Sequence, residues 1–70
     1  MVNLSNYTDF GLGVKTKLLQ TGKSQTWLID KVSAKTGLFV DTSYLYKILT
    51  GQRNAPKIVA AIRDILDIKE

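Results

Sequence analysis

The chain contains neither cysteine nor histidine. The first absence excludes disulfides and thiolate metal sites. The second removes the commonest general base and the commonest zinc ligand. Long apolar runs are missing too, so no segment is expected to span a bilayer, and the N-terminus lacks the charged-then-apolar order of a leader peptide. These features predict a cytoplasmic protein. A phosphate-cradling loop is also absent: Gly11-Leu12-Gly13 has neither the preceding strand nor the third glycine that such a loop needs. Asp64 and Asp67 stand one helical turn apart but on the polar side of an amphipathic stretch, where carboxylates are ordinarily solvated. Asp30 and Asp41 stand alone. No catalytic site, metal site, cofactor or small-molecule substrate is therefore expected, and an enzyme is not the reading.

What the chain does have is a basic excess. Ten Lys and Arg against six Asp and Glu give a net charge of +4 and a pI near 9.6. Such a balance favours polyanionic partners if the cations share a face. Seventy residues make one domain, and a domain this small buries only about 60% of the surface its unfolded chain exposes, leaving no room for a large catalytic cleft. No repeat, linker or low-complexity segment divides it.

Residues 1–8 show no sustained period and read as an irregular or flexible arm; residues 9–70 read as the folded domain. A first helix is expected from Asp9, as a carboxylate cap, to about Thr21, with Gly22 at its left-handed end. Phe10, Val14 and Leu18 form its stripe, with Leu19 beside it. Gly11 and Gly13 weaken its start by up to about 1 kcal/mol each relative to alanine. Ser24 caps a second helix from Gln25 to about Thr36, with Leu28, Ile29 and Val32 inward and Trp27 at the edge. After Gly37, the connector Leu38-Phe39-Val40 is apolar and expected to plug into the core. Asp41 or Thr42 opens a third helix ending at Gly51. Pro56 sits in the first turn of a fourth, whose Ile58, Val59, Ile62, Ile65 and Leu66 recur at helical spacing to Ile68. An all-α bundle of four to five short helices follows.

The stretch Thr42 to Asn54 carries the functional signal. Leu45, Ile48 and Leu49 fall on one helical face, whereas Thr42, Ser43, Tyr46, Lys47 and Thr50 fall on the other. That polar face suits a DNA groove: Lys47 can donate to guanine O6 and N7, the hydroxyls can donate or accept, and the Thr42 methyl can touch a thymine methyl. Gln25, preceded by Lys23 and Ser24, suits a phosphate held at a helix start. Gln52, Arg53, Asn54 and Lys57 supply further donors for the backbone, which set register without reading sequence.

With these residues placed, the chain resembles the Cro/C1-type, lambda-repressor-like helix-turn-helix family of phage and mobile-element regulators (also called the xenobiotic-response-element, or XRE, family). The resemblance runs from about Asp9 to Ile68. It rests on Gly22-Lys23-Ser24-Gln25-Thr26-Trp27-Leu28-Ile29 and, more specifically, on Ser43-Tyr44-Leu45-Tyr46-Lys47-Ile48-Leu49-Thr50-Gly51-Gln52-Arg53. It implies a repressor-like transcriptional regulator that binds double-stranded DNA, with Gln25 on a phosphate, Thr42, Ser43, Tyr46 and Lys47 toward bases, and Gln52 and Arg53 on the backbone. It also implies a homodimer on half-sites about 34 Å apart, paired through the last helix, the arm or the DNA. Two features depart from the family pattern. Ile29 stands where a small residue is usual, and the path from Val32 to Asp41 is longer, through either a longer helix or a real loop. The alternative reading is a protein-interaction module, such as an antitoxin or small inhibitor, with Trp27, Leu38 and Phe39 as its partner surface.

Overall fold

The structure is a computed structural model and describes residues 6–68. Within them the chain forms four helices and no strand: α1 (Asp9–Thr21), α2 (Gln25–Thr36), α3 (Thr42–Leu49) and α4 (Pro56–Leu66). Residues 1–5 of the expected arm, and residues 69–70, lie outside the described residues. No described helix is long and apolar enough to cross a membrane.

Each boundary has a local cause. Ser24 Oγ accepts from the Trp27 N–H at 3.0 Å, and Asp41 Oδ1 accepts from the Tyr44 N–H at 2.7 Å. Each thereby satisfies a first-turn donor that has no partner inside its helix. Pro56 opens α4, where its missing N–H loses no helical bond. The cap of α1 differs from expectation: Thr8 Oγ1, not the Asp9 carboxylate, accepts from the Gly11 N–H at 3.0 Å, and Asp9 falls inside the first turn. The third helix closes earlier than Gly51. Its last turn folds back at Thr50, with the Gly51 and Gln52 N–H groups donating to the Ile48 and Lys47 carbonyls at 3.2 and 2.8 Å. The fourth stops at Leu66 rather than Ile68, because Asp67 takes a left-handed conformation at φ 55.

The core gathers one face from each helix. Leu28 and Val32 of α2 meet Ile58, Ala61, Ile62 and Leu66 of α4 in the most extensive helix pairing. Leu45, Ile48 and Leu49 of α3 and Val14 and Leu18 of α1 complete it. Leu19 falls off the α1 stripe and is 84% exposed. Ile29 is half-buried against the core. The longer path between α2 and α3 is a real loop, Gly37 to Asp41, after a helix that reaches Thr36. Only part of its apolar triplet plugs in: Val40 is buried, whereas Leu38 is 43% and Phe39 83% exposed. An exposed Lys35–Asp64 ion pair at 2.6 Å ties α2 to α4, a contact of small energetic weight at that exposure.

One crossing sets the position of α3. The Thr8 N–H and hydroxyl both donate to the Leu49 carbonyl at 3.1 Å. That carbonyl lies at a helix end, where the internal ladder has run out. The last arm residue is thus tied to α3 rather than loose. Directly beside it, α1 passes so close that a Cβ on Gly11 would fall 2.1 Å from the Leu49 oxygen, whereas a Cβ on Gly13 would meet nothing within 4 Å. The two glycines, equivalent by helix propensity, therefore have opposite roles. Gly11→Ala should destabilise the domain by at least about 2 kcal/mol, since backbone must move apart. Gly13→Ala should stabilise it by about 0.5–1 kcal/mol through helix propensity. Thermal unfolding followed by circular dichroism reads both, and shifts of the same sign would refute this account of the crossing.

Candidate nucleic-acid interface

The short helix α3 has a buried side and a polar side. Leu45, Ile48 and Leu49 are buried, and Thr42, Ser43, Tyr46 and Lys47 are exposed. The division follows the helical period, and the Asp41 cap holds the first turn where Thr42 and Ser43 project. At the other end, Thr50 Oγ1 donates back to the Tyr46 carbonyl at 2.9 Å and accepts from Gln52 Nε2 at 2.9 Å. This pair of bonds turns the Gln52 side chain back toward α3.

Six of the ten residues singled out by sequence share one open cleft: Gln25, Thr42, Ser43, Tyr46, Lys47 and Gln52 line it together. Gln25 comes from the first position of α2, and Gln52 from the bend after α3. These six residues bring three chain segments together around the polar face of α3. Its lining includes two lysines and no carboxylate. The adjacent Asp41 spends one carboxylate oxygen on the Tyr44 N–H.

The remaining four residues lie elsewhere. The Lys23 ammonium sits 5.3 Å from the Trp27 ring centroid, beside the start of α2, and Lys31 flanks the same ring at 6.0 Å. Arg53 stacks over Tyr44 at 5.6 Å, on the opposite flank of α3 from Tyr46. Lys57 lines a second, apolar groove with Leu38, Tyr44, Ala55, Pro56 and Ile58. Asn54 is exposed in the loop before α4. The basic loop therefore divides: Gln52 faces the cleft, Arg53 lies over the Tyr44 ring, and Lys57 borders the apolar groove.

Two cleft residues were not foreseen from sequence, Tyr7 and Lys15. The Tyr7 ring meets the Tyr46 ring edge-to-face, with centroids 5.8 Å apart and planes at 83°, and Lys15 Nζ lies 5.4 Å from the Tyr7 centroid. A signal for Tyr7 existed in the identity of the cap. With Thr8 as N-cap, Tyr7 takes the position just before it, where a large side chain commonly packs back on its own helix. For Lys15 there was none, because its role depends on how α1 crosses α3.

The acidic residues do not converge. Among the described residues no three His, Cys, Asp or Glu side chains come together, and Asp64 is paired with Lys35. No polar or charged described residue is buried. No protein-family model, curated protein or solved structure matches the chain closely enough to show a relationship.

Because the Asp41 carboxylate organises the turn that presents Thr42 and Ser43, Asp41→Ala should cost about 1 kcal/mol of stability. It should also speed amide hydrogen exchange at Ser43 and Tyr44 more than in α2 or α4. Uniform acceleration across all four helices would show that the cap supports the fold without organising this face.

Proposed function

We propose that the chain is a sequence-specific double-stranded DNA-binding protein of the lambda-repressor-like helix-turn-helix type, acting as a small cytoplasmic transcriptional regulator of a bacterial phage or mobile element. The observation that carries the reading is the cleft itself. Side chains able to read base edges (Thr42, Ser43, Tyr46 and Lys47) open onto the same space as Gln25 and Gln52, with cationic and no anionic lining. In this reading α2 and α3 are the helix pair. The N-terminal end of α2 and the Gln25 amide hold one phosphate, where the end of the helix dipole is positive. The polar face of α3 enters the major groove. Gln52 grips the backbone from the far end, and Arg53, Asn54, Lys57 and Lys23 supply flanking charge along the phosphates.

Selection from a randomised duplex pool tests the reading directly. An enriched motif is expected, and a palindromic one would add pairing of two copies on half-sites about 34 Å apart. With about five phosphates neutralised per protomer, log affinity for the enriched duplex should fall against log salt with a slope near −4 to −5. A salt-independent affinity would contradict the electrostatic footprint. Lys47→Ala should cost about 1–3 kcal/mol on the enriched duplex and relax preference at one base pair. Arg53→Ala should weaken enriched and scrambled duplexes alike, since a phosphate contact carries no sequence information. If Lys47→Ala also weakened both duplexes equally, Lys47 would be a backbone contact.

A second reading draws on the exposed Phe39 and half-exposed Leu38 beside the Tyr44–Pro56–Ile58 groove. Exposed apolar surface of this kind is a common feature of protein-partner sites. In that reading the chain is an interaction module such as an antitoxin or inhibitor, and duplex selection enriches nothing.

A further inference from the structure

We infer that Tyr7 is a positioning residue for Tyr46: by holding the Tyr46 ring from outside its helix, it sets which base pair that ring addresses. The inference rests on the DNA-binding reading and deepens it. Tyr46 projects from the solvent side of α3 and is 41% exposed. An outward-facing tyrosine on a helix ordinarily samples more than one rotamer, and a change of χ1 carries its hydroxyl several ångströms, enough to shift it to a neighbouring base edge. Here the ring has a partner from another part of the chain. The edge-to-face contact with Tyr7, at 5.8 Å and 83°, matches the geometry aromatic pairs prefer.

The brace is itself anchored. Thr8, the next residue, donates twice to the Leu49 carbonyl at the end of the helix that carries Tyr46. The Thr8 methyl also lies against Gly51: a Cβ there would come within 3.0 Å of Thr8 Cγ2. The Tyr7 ring also receives Lys15 from α1, with Nζ 5.4 Å from its centroid. Tyr7 is therefore fixed with respect to both ends of the contact, and Tyr7, Tyr46 and Lys15 all line the one cleft. A base-reading side chain held in a single orientation loses less freedom on binding and discriminates more sharply between bases.

The test compares wild type, Tyr7→Ala, Tyr7→Phe and Tyr46→Ala on the duplex enriched from a randomised pool and on a scrambled duplex of equal length. Tyr7→Ala should lose roughly three- to tenfold affinity for the enriched duplex, the range expected for one aromatic pair. It should stay within about twofold of wild type on the scrambled one, and flatten preference at the same base pair as Tyr46→Ala. Tyr7→Phe keeps the ring contact and should restore both affinity and preference. Equal losses on the two duplexes, or flattening at a different base pair, would overturn the inference. A measurement on the free protein separates this outcome from failure of the DNA reading. Three-bond couplings reporting the Tyr46 χ1 angle should show one dominant rotamer in wild type and averaging in Tyr7→Ala, with circular dichroism confirming that the variant is folded. If no duplex is enriched, the DNA reading fails and takes the base-pair assignment with it. Unchanged couplings would overturn the brace whatever the duplexes show.

Discussion

The Leu49 carbonyl is the point on which the architecture turns. It accepts from both the backbone and the hydroxyl of Thr8, and the same hydroxyl accepts from Gly11 at the start of α1. One threonine thus caps the beginning of one helix and the end of another. That double duty requires the two backbones to come very close, which is why position 11 has no room for a Cβ. The α1–α3 crossing in turn fixes the outer side of α3. The same stretch that bonds to the Leu49 carbonyl carries Tyr7, whose ring meets Tyr46.

The second organising feature is the division of the basic, amide-rich stretch after α3. Net charge by itself says nothing about where charge gathers. The bend at Thr50–Gly51 sends Gln52 back toward the polar face, whereas Arg53 lies across Tyr44 on the opposite flank. Adjacent residues are therefore committed to different surfaces: Gln52 to a polar cleft with lysines, and Arg53 to the exposed face of Tyr44. The Lys23 and Lys31 ammonium groups and the Arg53 guanidinium lie over aromatic faces, while the three residues stay exposed.

Much of the fold was legible because its signals are local. Ser24, Asp41 and Pro56 mark helix starts through groups within one turn of themselves, and α2 occupies the span its cap and its terminal glycine indicate. The polar and apolar faces of α3 followed from periodicity over a few residues. Where the sequence reading slipped, a tertiary partner or a local bend had decided the matter. The choice of Thr8 over Asp9 as cap goes with the Leu49 carbonyl, and the outward turn of Phe39 goes with the insertion of Val40. Of the candidate site, the residues on α3 and the glutamines flanking it came together, while Lys23, Arg53, Asn54 and Lys57 did not join them.

Local pattern was enough for an all-helical chain, for the starts of α2, α3 and α4, and for which side of α3 is polar, because hydrogen bonds within a turn and the 3.6-residue period depend only on near neighbours. That Tyr7 and Lys15 share a cleft with Lys47, and that Arg53 does not, comes from packing between helices. Those outcomes depend on how closely α1 can approach α3. That distance is set by an absent side chain at Gly11 and a carbonyl 38 positions away at Leu49, a pairing no local pattern encodes.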